Sequence, residues 1–471
     1  MRPVVSRRVL LPKSKVDGTK IREDLVIVDS RTESIGKRQA LVCFEERHNY
    51  FLVPKAYGLK FLKDSSIEFD DVQSPGDPID VRFKGTLRPG QDSAVDTTLS
   101  SLRDTEGGVM NLYCGFGKTT CANMISCRMG LKTLILVHTS ALLEQWEQRI
   151  EQFVEGASIG RIRQNVFDVE GRTHVIGLMQ SISKRSYEKG SFKSFGLLVV
   201  DEAHHICAHT LSKCLEVAGC KYRLGLSATP FRKDGFTPFL FHSIGPICCS
   251  VDRKSNTQSI EIMNAQITDG PREIHTMRIA GGKTTVNVAK MINDLCDPSI
   301  SLARSVCIVK CIKNCVREGR QVMVLSDRRA HLTYLESQIS ENSKNSESSN
   351  ISTGFMVGGM KKEDLKNAES KTVIFATYAY CSEGVDVASL DTVIFATPRS
   401  DVVQCTGRIL RLHADKKTPR VVDIVDGSTV FTNQSFKRRR YYKTLGAIIK
   451  YFDQNICIKS SVSEKGHGGH G

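Results

Sequence analysis

At 471 residues the chain has length for roughly three domains, and 40% hydrophobic with 25% charged residues is an ordinary globular balance that excludes a disordered polymer. The net charge of +15 and a pI near 9.1 point to a polyanionic partner, nucleic acid before membrane, while a basic surface kept for solubility gives the same balance. No apolar run approaches a membrane span, and the basic opening M-R-P-V-V-S-R-R-V-L-L-P lacks the apolar core and cleavage site of a secretory signal.

Residues 1–85 alternate short apolar runs with polar turns, as in A-L-V-C-F, Y-F-L-V-P and I-E-F, which predicts a small β-containing accessory domain ending near the turn S-P-G-D-P. Over 86–265, apolar runs (T-L-I-L-V, H-V-I-G-L, F-G-L-L-V-V, Y-R-L-G-L) alternate with helical periods, the pattern of a parallel sheet covered by helices. Residues 266–284 predict a linker. A second series occupies 285–430, with strands in Q-V-M-V-L-S, K-T-V-I-F-A-T, D-T-V-I-F-A-T and R-V-V-D-I-V. Between its first two strands the serine-rich S-E-N-S-K-N-S-E-S-S-N-I-S predicts an exposed loop. The fold class is therefore α/β, with two such units in tandem.

Sixteen cysteines without a C-x-x-C pair fit the reducing cytosol or nucleus. Cys307, Cys311 and Cys315 recur every four residues beside Ile308, Ile312 and Val316, which predicts a buried helical stripe rather than an iron–sulfur site. Residues 431–471 predict a basic extension. Its run K-R-R-R (437–440) reads equally as a nuclear-localisation or nucleic-acid patch and as the solvated face of a helix. The final K-G-H-G-G-H-G predicts a disordered tail with too few histidines for a metal site.

Two stretches carry chemistry. The first, L-Y-C-G-F-G-K-T-T (112–120), follows the phosphate-loop pattern G-x-x-x-x-G-K-[ST] except that Leu112 stands where the leading glycine belongs. Gly115 and Gly117 allow backbone N–H groups to turn toward phosphates, Lys118 reaches their oxygens, and Thr119 supplies a hydroxyl to Mg²⁺. Cys114, Phe116 and Thr120 complete the candidate nucleotide loop, and a glycine-rich turn that binds nothing is the plain alternative. The second stretch is L-L-V-V-D-E-A-H-H (197–205). Its apolar strand is expected beside the strand of the loop, which would make Asp201 a Mg²⁺ ligand and Glu202 the residue that orients and activates water. Acidic residues that merely cap the following helix are the competing reading.

Four further pieces occur in fixed order: L-R-P-G-Q (87–91), S-A-T-P (227–230), A-T-Y-A-Y-C-S-E-G-V-D-V (376–387) and Q-C-T-G-R-I-L-R (404–411). The set resembles the superfamily 2 helicases, which carry two RecA-like domains, and within them the XPB-like branch and helicases of large DNA viruses and phages. The family's phosphate loop also lacks the first glycine, so Leu112 is a class mark. The resemblance covers roughly residues 85–430. It implies that Arg88 and Gln91 read adenine, that Ser227 and Thr229 couple hydrolysis to nucleic acid, and that Gly384 and Asp386 approach the ribose and phosphates. It also implies that Gln404, Arg408 and Arg411 face the γ-phosphate, both arginines acting as fingers. Small polar residues after strands, namely Thr139, Gln180, Ser181 and Thr377, suit contacts with a nucleic-acid backbone and equally suit turn caps. Two departures stand out. Cys405 takes a position often held by arginine, and Arg232-Lys233-Asp234 replaces an Arg-Glu-Asp element that helps to open duplex DNA.

The expected protein is an ATP- and Mg²⁺-dependent DNA helicase or translocase moving 3′ to 5′ by resemblance. DNA is expected ahead of RNA as partner, without a membrane, and replication or transcription proteins are further candidates. The expected location is the nucleus or cytoplasm, or a host cell or virion if the source is viral. A translocase that remodels transcription complexes, an RNA helicase and a non-catalytic binding subunit are the rival readings; intact Lys118, Asp201, Glu202 and Arg411 argue against the last.

Overall fold

The computed structural model describes residues 1–29, 40–204, 213–232, 234–252, 260–267, 273–278, 284–344, 351–384, 387–411 and 416–453. The chain divides into two compact units after Asp252.

The first unit begins with a five-stranded sheet that includes Val4–Val5, Arg8–Pro12 and Tyr50–Pro54. The helix Lys55–Asp64 lies against it. Gly58 permits this close approach, because a Cβ there would meet the Val9 side chain at 2.4 Å. Val5, Val9, Phe51, Leu59 and Leu62 form the core, and Phe236 and Phe239 from far along the chain pack onto it. Polar anchors cross the same seam. Buried Arg223 donates to the Arg7 and Ser243 carbonyls at 2.7 and 2.8 Å, and buried Lys55 donates to the carbonyls of Cys220 and Lys221 at 3.0 and 2.5 Å. These contacts join the accessory sheet and the α/β portion in one compact unit.

An eight-stranded sheet forms the rest of this unit. Gly107–Leu112, Thr133–Val137, His174–Leu178, Leu197–Val200 and Tyr222–Ser227 all run parallel, and helices cover both faces. Each is an almost wholly buried apolar run, as expected for interior strands of a parallel sheet. One expectation fails in detail. The strand Tyr222–Ser227 inserts between Gly107–Leu112 and Leu197–Val200, so the loop strand and the acidic strand are next-but-one neighbours.

The second unit is a seven-stranded sheet, parallel throughout, whose strand order starts at Thr353–Met356 and ends at Ile448–Asp453. It corrects the sequence boundaries three times. Glu261–Ile267, expected in the first α/β unit, is an interior strand here between Arg420–Asp426 and Ile448–Asp453. The expected linker contributes a short antiparallel pair, Thr276–Arg278 with Thr284–Val286. The serine-rich segment begins inside the helix Arg329–Lys344, where the Ser340 hydroxyl donates to Glu336 at 2.8 Å, and is followed by the unforeseen strand Thr353–Met356. Cys307, Cys311 and Cys315 lie buried in the apolar core, on the helix Pro298–Arg317.

The expected basic extension is also part of this unit. Its helix Thr429–Thr444 turns Arg438 fully inward, where Nε lies 3.0 Å from both carboxylate oxygens of buried Asp423 and Nη1 donates to the Arg399 carbonyl at 2.7 Å. Arg439 lies over the rings of Phe436 and Tyr451, while Lys437 and Arg440 face solvent. Replacing Arg438 by alanine strands a buried carboxylate and is expected to cost about 3–5 kcal/mol of stability. Denaturant unfolding checks this; a loss below about 1 kcal/mol would mean that Asp423 is readily rehydrated. The K-G-H-G-G-H-G tail lies outside the described residues.

Candidate nucleotide and nucleic-acid sites

The loop and its helix form as the glycines dictate. Gly115 and Gly117 have φ of +90° and +103°, and the helix Lys118–Met129 starts immediately afterwards. A Cβ at Gly117 would lie 2.3 Å from the Gln91 amide nitrogen and 2.8 Å from the Arg88 guanidinium. Those two side chains hold the loop from outside. Arg88 donates to the Gly115 carbonyl at 2.9 Å, and the buried Gln91 amide donates to the Phe116 carbonyl at 2.5 Å while accepting from the Arg88 N–H at 2.7 Å. With its carbonyls held, the loop is free to present N–H groups to an anion at the helix N-terminus. Cys114 is half-buried within the loop, and Thr119 and Thr120 occupy the first helical turn.

The acidic strand brings its end to the same place. Lys118 Nζ donates to Glu202 Oε1 at 2.8 Å, across 84 residues of sequence. Burial alone would lower the Lys118 pKa; the fields of Glu202, Cys114 and Asp201 more than offset it and raise it above its ordinary value. Asp201 is buried, and that burial, reinforced by the adjacent Glu202 carboxylate, pushes its carboxyl above the ordinary range against the pull of Lys118. The Thr119 hydroxyl, on the loop's helix, and the Asp201 and Glu202 carboxylates are oxygen donors of the kind Mg²⁺ takes. The residues present therefore fit both groups: a polyphosphate on the loop and a hard dication beside it.

Sequence reasoning missed two supports of this cluster. Trp146, the chain's single tryptophan, donates its indole N–H to Asp201 Oδ2 at 2.9 Å, fixing the carboxylate from the helix Ser140–Phe153. His204 Nδ1 lies 3.1 Å from the Ser227 hydroxyl and 3.5 Å from Glu202 Oε2. Burial depresses the His204 pKa, partly against the nearby Glu202. Ser227 in turn accepts from the Thr229 N–H at 3.1 Å. Because Tyr222–Ser227 sits between the two other strands, Ser227 ends beside the acidic turn, and His204 joins it to Glu202. The sequence holds Trp146 at the end of L-L-E-Q-W (142–146) and His204 after D-E-A, but no local pattern reveals their partners. Glu202 itself adopts φ +43°, a left-handed conformation unusual for a residue with a Cβ and held here by its surroundings.

The remaining candidates of the first unit occupy the same carboxyl edge of the sheet, the place where open α/β sheets bind ligands. Thr139 caps its helix by accepting from the Leu142 N–H at 3.3 Å, Gln180 is exposed, and Ser181 accepts from the Gln164 N–H at 3.0 Å. Thr139 and Ser181 thus have the capping roles that sequence left open. Arg232 and Asp234 clamp each other, Nε to Oδ1 at 2.9 Å, and Arg232 ties the turn to the His204 carbonyl at 2.6 Å; Lys233 lies outside the described residues.

In the second unit Thr377 ends its strand and Gly384 ends the helix Tyr378–Gly384, while Asp386 lies outside the described residues. Gln404 and Arg408 lie half-buried on the helix Val403–Ile409, with Arg408 Nε donating to the Cys381 carbonyl at 3.1 Å; Arg411 follows that helix, also half-buried. Cys405 is buried in the apolar core, so no positive group issues from that position.

Glu202→Gln preserves shape but removes the carboxylate that can accept a proton from water. Turnover is expected to fall by about 10²–10⁴-fold while nucleotide affinity is retained. Parallel measurement of turnover and affinity decides the role: a collapse of affinity equal to that of a Lys118 variant would assign Glu202 to binding instead.

Parallel α/β units, the first with a phosphate loop and an acidic pair gathered at one sheet edge, define a phosphate-loop protein of the RecA-like type. Residues 84–232 match the family model described as the type III restriction enzyme, res subunit. Over 465 residues the chain is 30% identical to a protein of Acanthamoeba polyphaga mimivirus called "Putative ATP-dependent RNA helicase", covering 97% of this chain and 87% of that one. It is 26% identical to "Putative helicase 161L" of Invertebrate iridescent virus 6, covering 79% and 84%. The fold is shared with a fragment of an HsdR subunit of a type I restriction enzyme from Vibrio vulnificus YJ016 (TM-score 0.55, 16% identity, 90% and 78% covered). It is also shared with a Dbp5 variant of S. cerevisiae bound to RNA and ADP BeF3 (TM-score 0.52, 12% identity, 79% and 91% covered). The chain belongs to the superfamily 2 helicases, together with helicases of large DNA viruses.

Proposed function

We propose that the protein is an ATP-driven motor that moves along one strand of DNA, 3′ to 5′, and separates or remodels what it meets. The observation that carries this reading is the cluster of Lys118, Asp201 and Glu202 with the His204–Ser227 connection, because it joins a nucleotide site to the sheet edge that carries Thr139, Gln180 and Ser181. ATP supplies the phosphoanhydride whose cleavage drives the cycle, and Thr119 and Asp201 are the residues to hold its Mg²⁺. Lys118 exchanges Glu202 for phosphate oxygens, which frees the Glu202 carboxylate to orient water and take its proton. Ser227 and Thr229 pass the change in charge at Glu202 toward the nucleic-acid residues through His204. Gly384, Asp386, Gln404, Arg408 and Arg411 complete the nucleotide site from the second unit in this reading, which follows the family's two-domain arrangement. The protein works inside a host cell on viral nucleic acid, alongside replication or transcription proteins.

RNA is the second reading, favoured by the name of the mimivirus relative. ATP turnover in the presence of single-stranded DNA, duplex DNA and RNA, with strand displacement on tailed duplexes, separates the two. Stimulation by single-stranded DNA and displacement from a 3′ tail are expected, and stimulation by RNA alone would replace the DNA assignment. DNA affinity is further expected to fall steeply with salt and to vary little with sequence, as backbone contacts require. A flat salt response measured by titration would point to a specific binding module.

A further inference from the structure

A group of cations of the first unit lies in a place the motor reading does not use. Two adjoining cavities, about 440 and 630 Å³, run along the seam between the accessory sheet and the α/β portion, and share Arg7, Arg185, Lys213, Glu216 and Val217 in their walls. They meet at these five residues, and together they make up the seam groove. Lys189 and Lys193 extend its basic wall, and Glu45, Glu188 and Glu216 are its carboxylates. Glu45 is already engaged by Arg8 at 2.7 Å. Among the described residues, no carboxylate pairs with Arg7, Arg185, Lys189, Lys193 or Lys213, and all five side chains belong to exposed residues. Beneath them, Arg223 is fully buried and its Nε has no hydrogen-bond acceptor.

The five cations outnumber the three wall carboxylates, and their mutual repulsion is a cost that a polyanion would remove. One wall of the groove reaches toward the proposed track through Arg185. Arg185 directly follows the helix Met179–Lys184, whose first turn bears Gln180 and Ser181, and its guanidinium donates to the Gln164 carbonyl at 2.5 Å. Tyr187 lines the same wall, packed edge-on to Phe192 at 5.0 Å, with its hydroxyl lacking a protein partner. Interleaved cations and a half-buried aromatic ring suit a single strand, whose bases stack and whose phosphates pair.

We propose that this seam groove is a second nucleic-acid tract, which grips the backbone of a single strand beyond the motor track through Arg7, Arg185, Lys189, Lys193 and Lys213. The proposal rests on the motor reading and gives the accessory domain its role: it supplies one wall of the tract and lengthens the footprint. The strand is bound without sequence preference, because the groups that face it are exposed cations and one half-buried ring rather than a base-reading set.

The test uses the full-length protein and the triple variant Arg185→Ala/Lys189→Ala/Lys213→Ala, whose three side chains are exposed and carry no core packing. Affinity is measured by fluorescence anisotropy for a short labelled oligonucleotide that fills only the track and for one about twice as long, over a range of salt. The wild-type protein is expected to bind the longer strand about tenfold or more tightly, and the variant to lose that gain. The variant's salt slope on the longer strand should fall by about 2, near 0.7 for each lost contact. Its affinity for the short strand and its turnover without nucleic acid should stay as in the wild type. An unchanged length gain and salt slope in the variant would overturn the tract alone, and would leave the groove to another polyanion such as an acidic protein segment. Failure of the wild-type protein to bind any oligonucleotide would overturn the motor reading as well.

Discussion

Lys118→Ala is expected to abolish ATP hydrolysis, lowering turnover by about 10³-fold or more, because it removes the charge that meets phosphate oxygens in a site shielded from water. The geometry sharpens the expectation. Lys118 is the partner of Glu202 at 2.8 Å and lowers the proton affinity of Asp201, so its loss withdraws the ammonium charge from two adjacent carboxylates. A proton is then held more firmly on that pair, which impairs both the proposed Mg²⁺ ligand and the proposed water-activating base. Lys118→Met, of similar length without charge, should be as inactive as alanine, whereas a packing defect would be partly repaired by it. Phosphate release at saturating ATP, with thermal unfolding as a control for folding, is the measurement. Near-normal release in either variant would remove the loop from the nucleotide site.

Arg411→Ala carries the second large effect. If the second unit completes the nucleotide site as proposed, this guanidinium acts mainly on charge that develops as the γ-phosphoryl group leaves, so turnover should drop by about 10³-fold while nucleotide affinity is largely kept. Arg411→Lys should rescue little, since an ammonium cannot present a planar fork to two oxygens. Arg408 offers a useful contrast: its Nε already serves the Cys381 carbonyl, so Arg408→Ala should also loosen the contact between two helices. Nucleotide affinity and nucleic-acid-stimulated turnover must be measured separately for each variant. Undiminished stimulated turnover in Arg411→Ala would mean that the second unit does not complete the site, and the two-unit motor would fail.

Much of this molecule is written locally, and that part was legible. The interior strands T-L-I-L-V, H-V-I-G-L and L-L-V-V announce themselves because burial on both faces demands unbroken apolar runs. The loop is equally plain, since Gly115 and Gly117 take positive φ and the lysine follows at once. Motif order supplied the family, which neither composition nor charge could do.

What tertiary structure alone decided was pairing across long separations. Glu261–Ile267 mixes polar with apolar residues and so does not stand out as an interior strand, yet it lies between Arg420–Asp426 and Ile448–Asp453; its place is set by partners that begin 159 and 187 residues on. K-R-R-R looked uniform, but helical geometry points Arg438 at Asp423 and leaves Lys437 and Arg440 in water. The insertion of Tyr222–Ser227 between the loop strand and the acidic strand, which puts Ser227 within reach of His204, follows from sheet order, and sheet order leaves no local trace. The sequence by itself determined which side chains are available to hold phosphate, metal and nucleic acid. Tertiary structure decided which of them meet, because a hydrogen bond such as Trp146 to Asp201 depends on the packing of a helix against a sheet, and local propensity does not encode that.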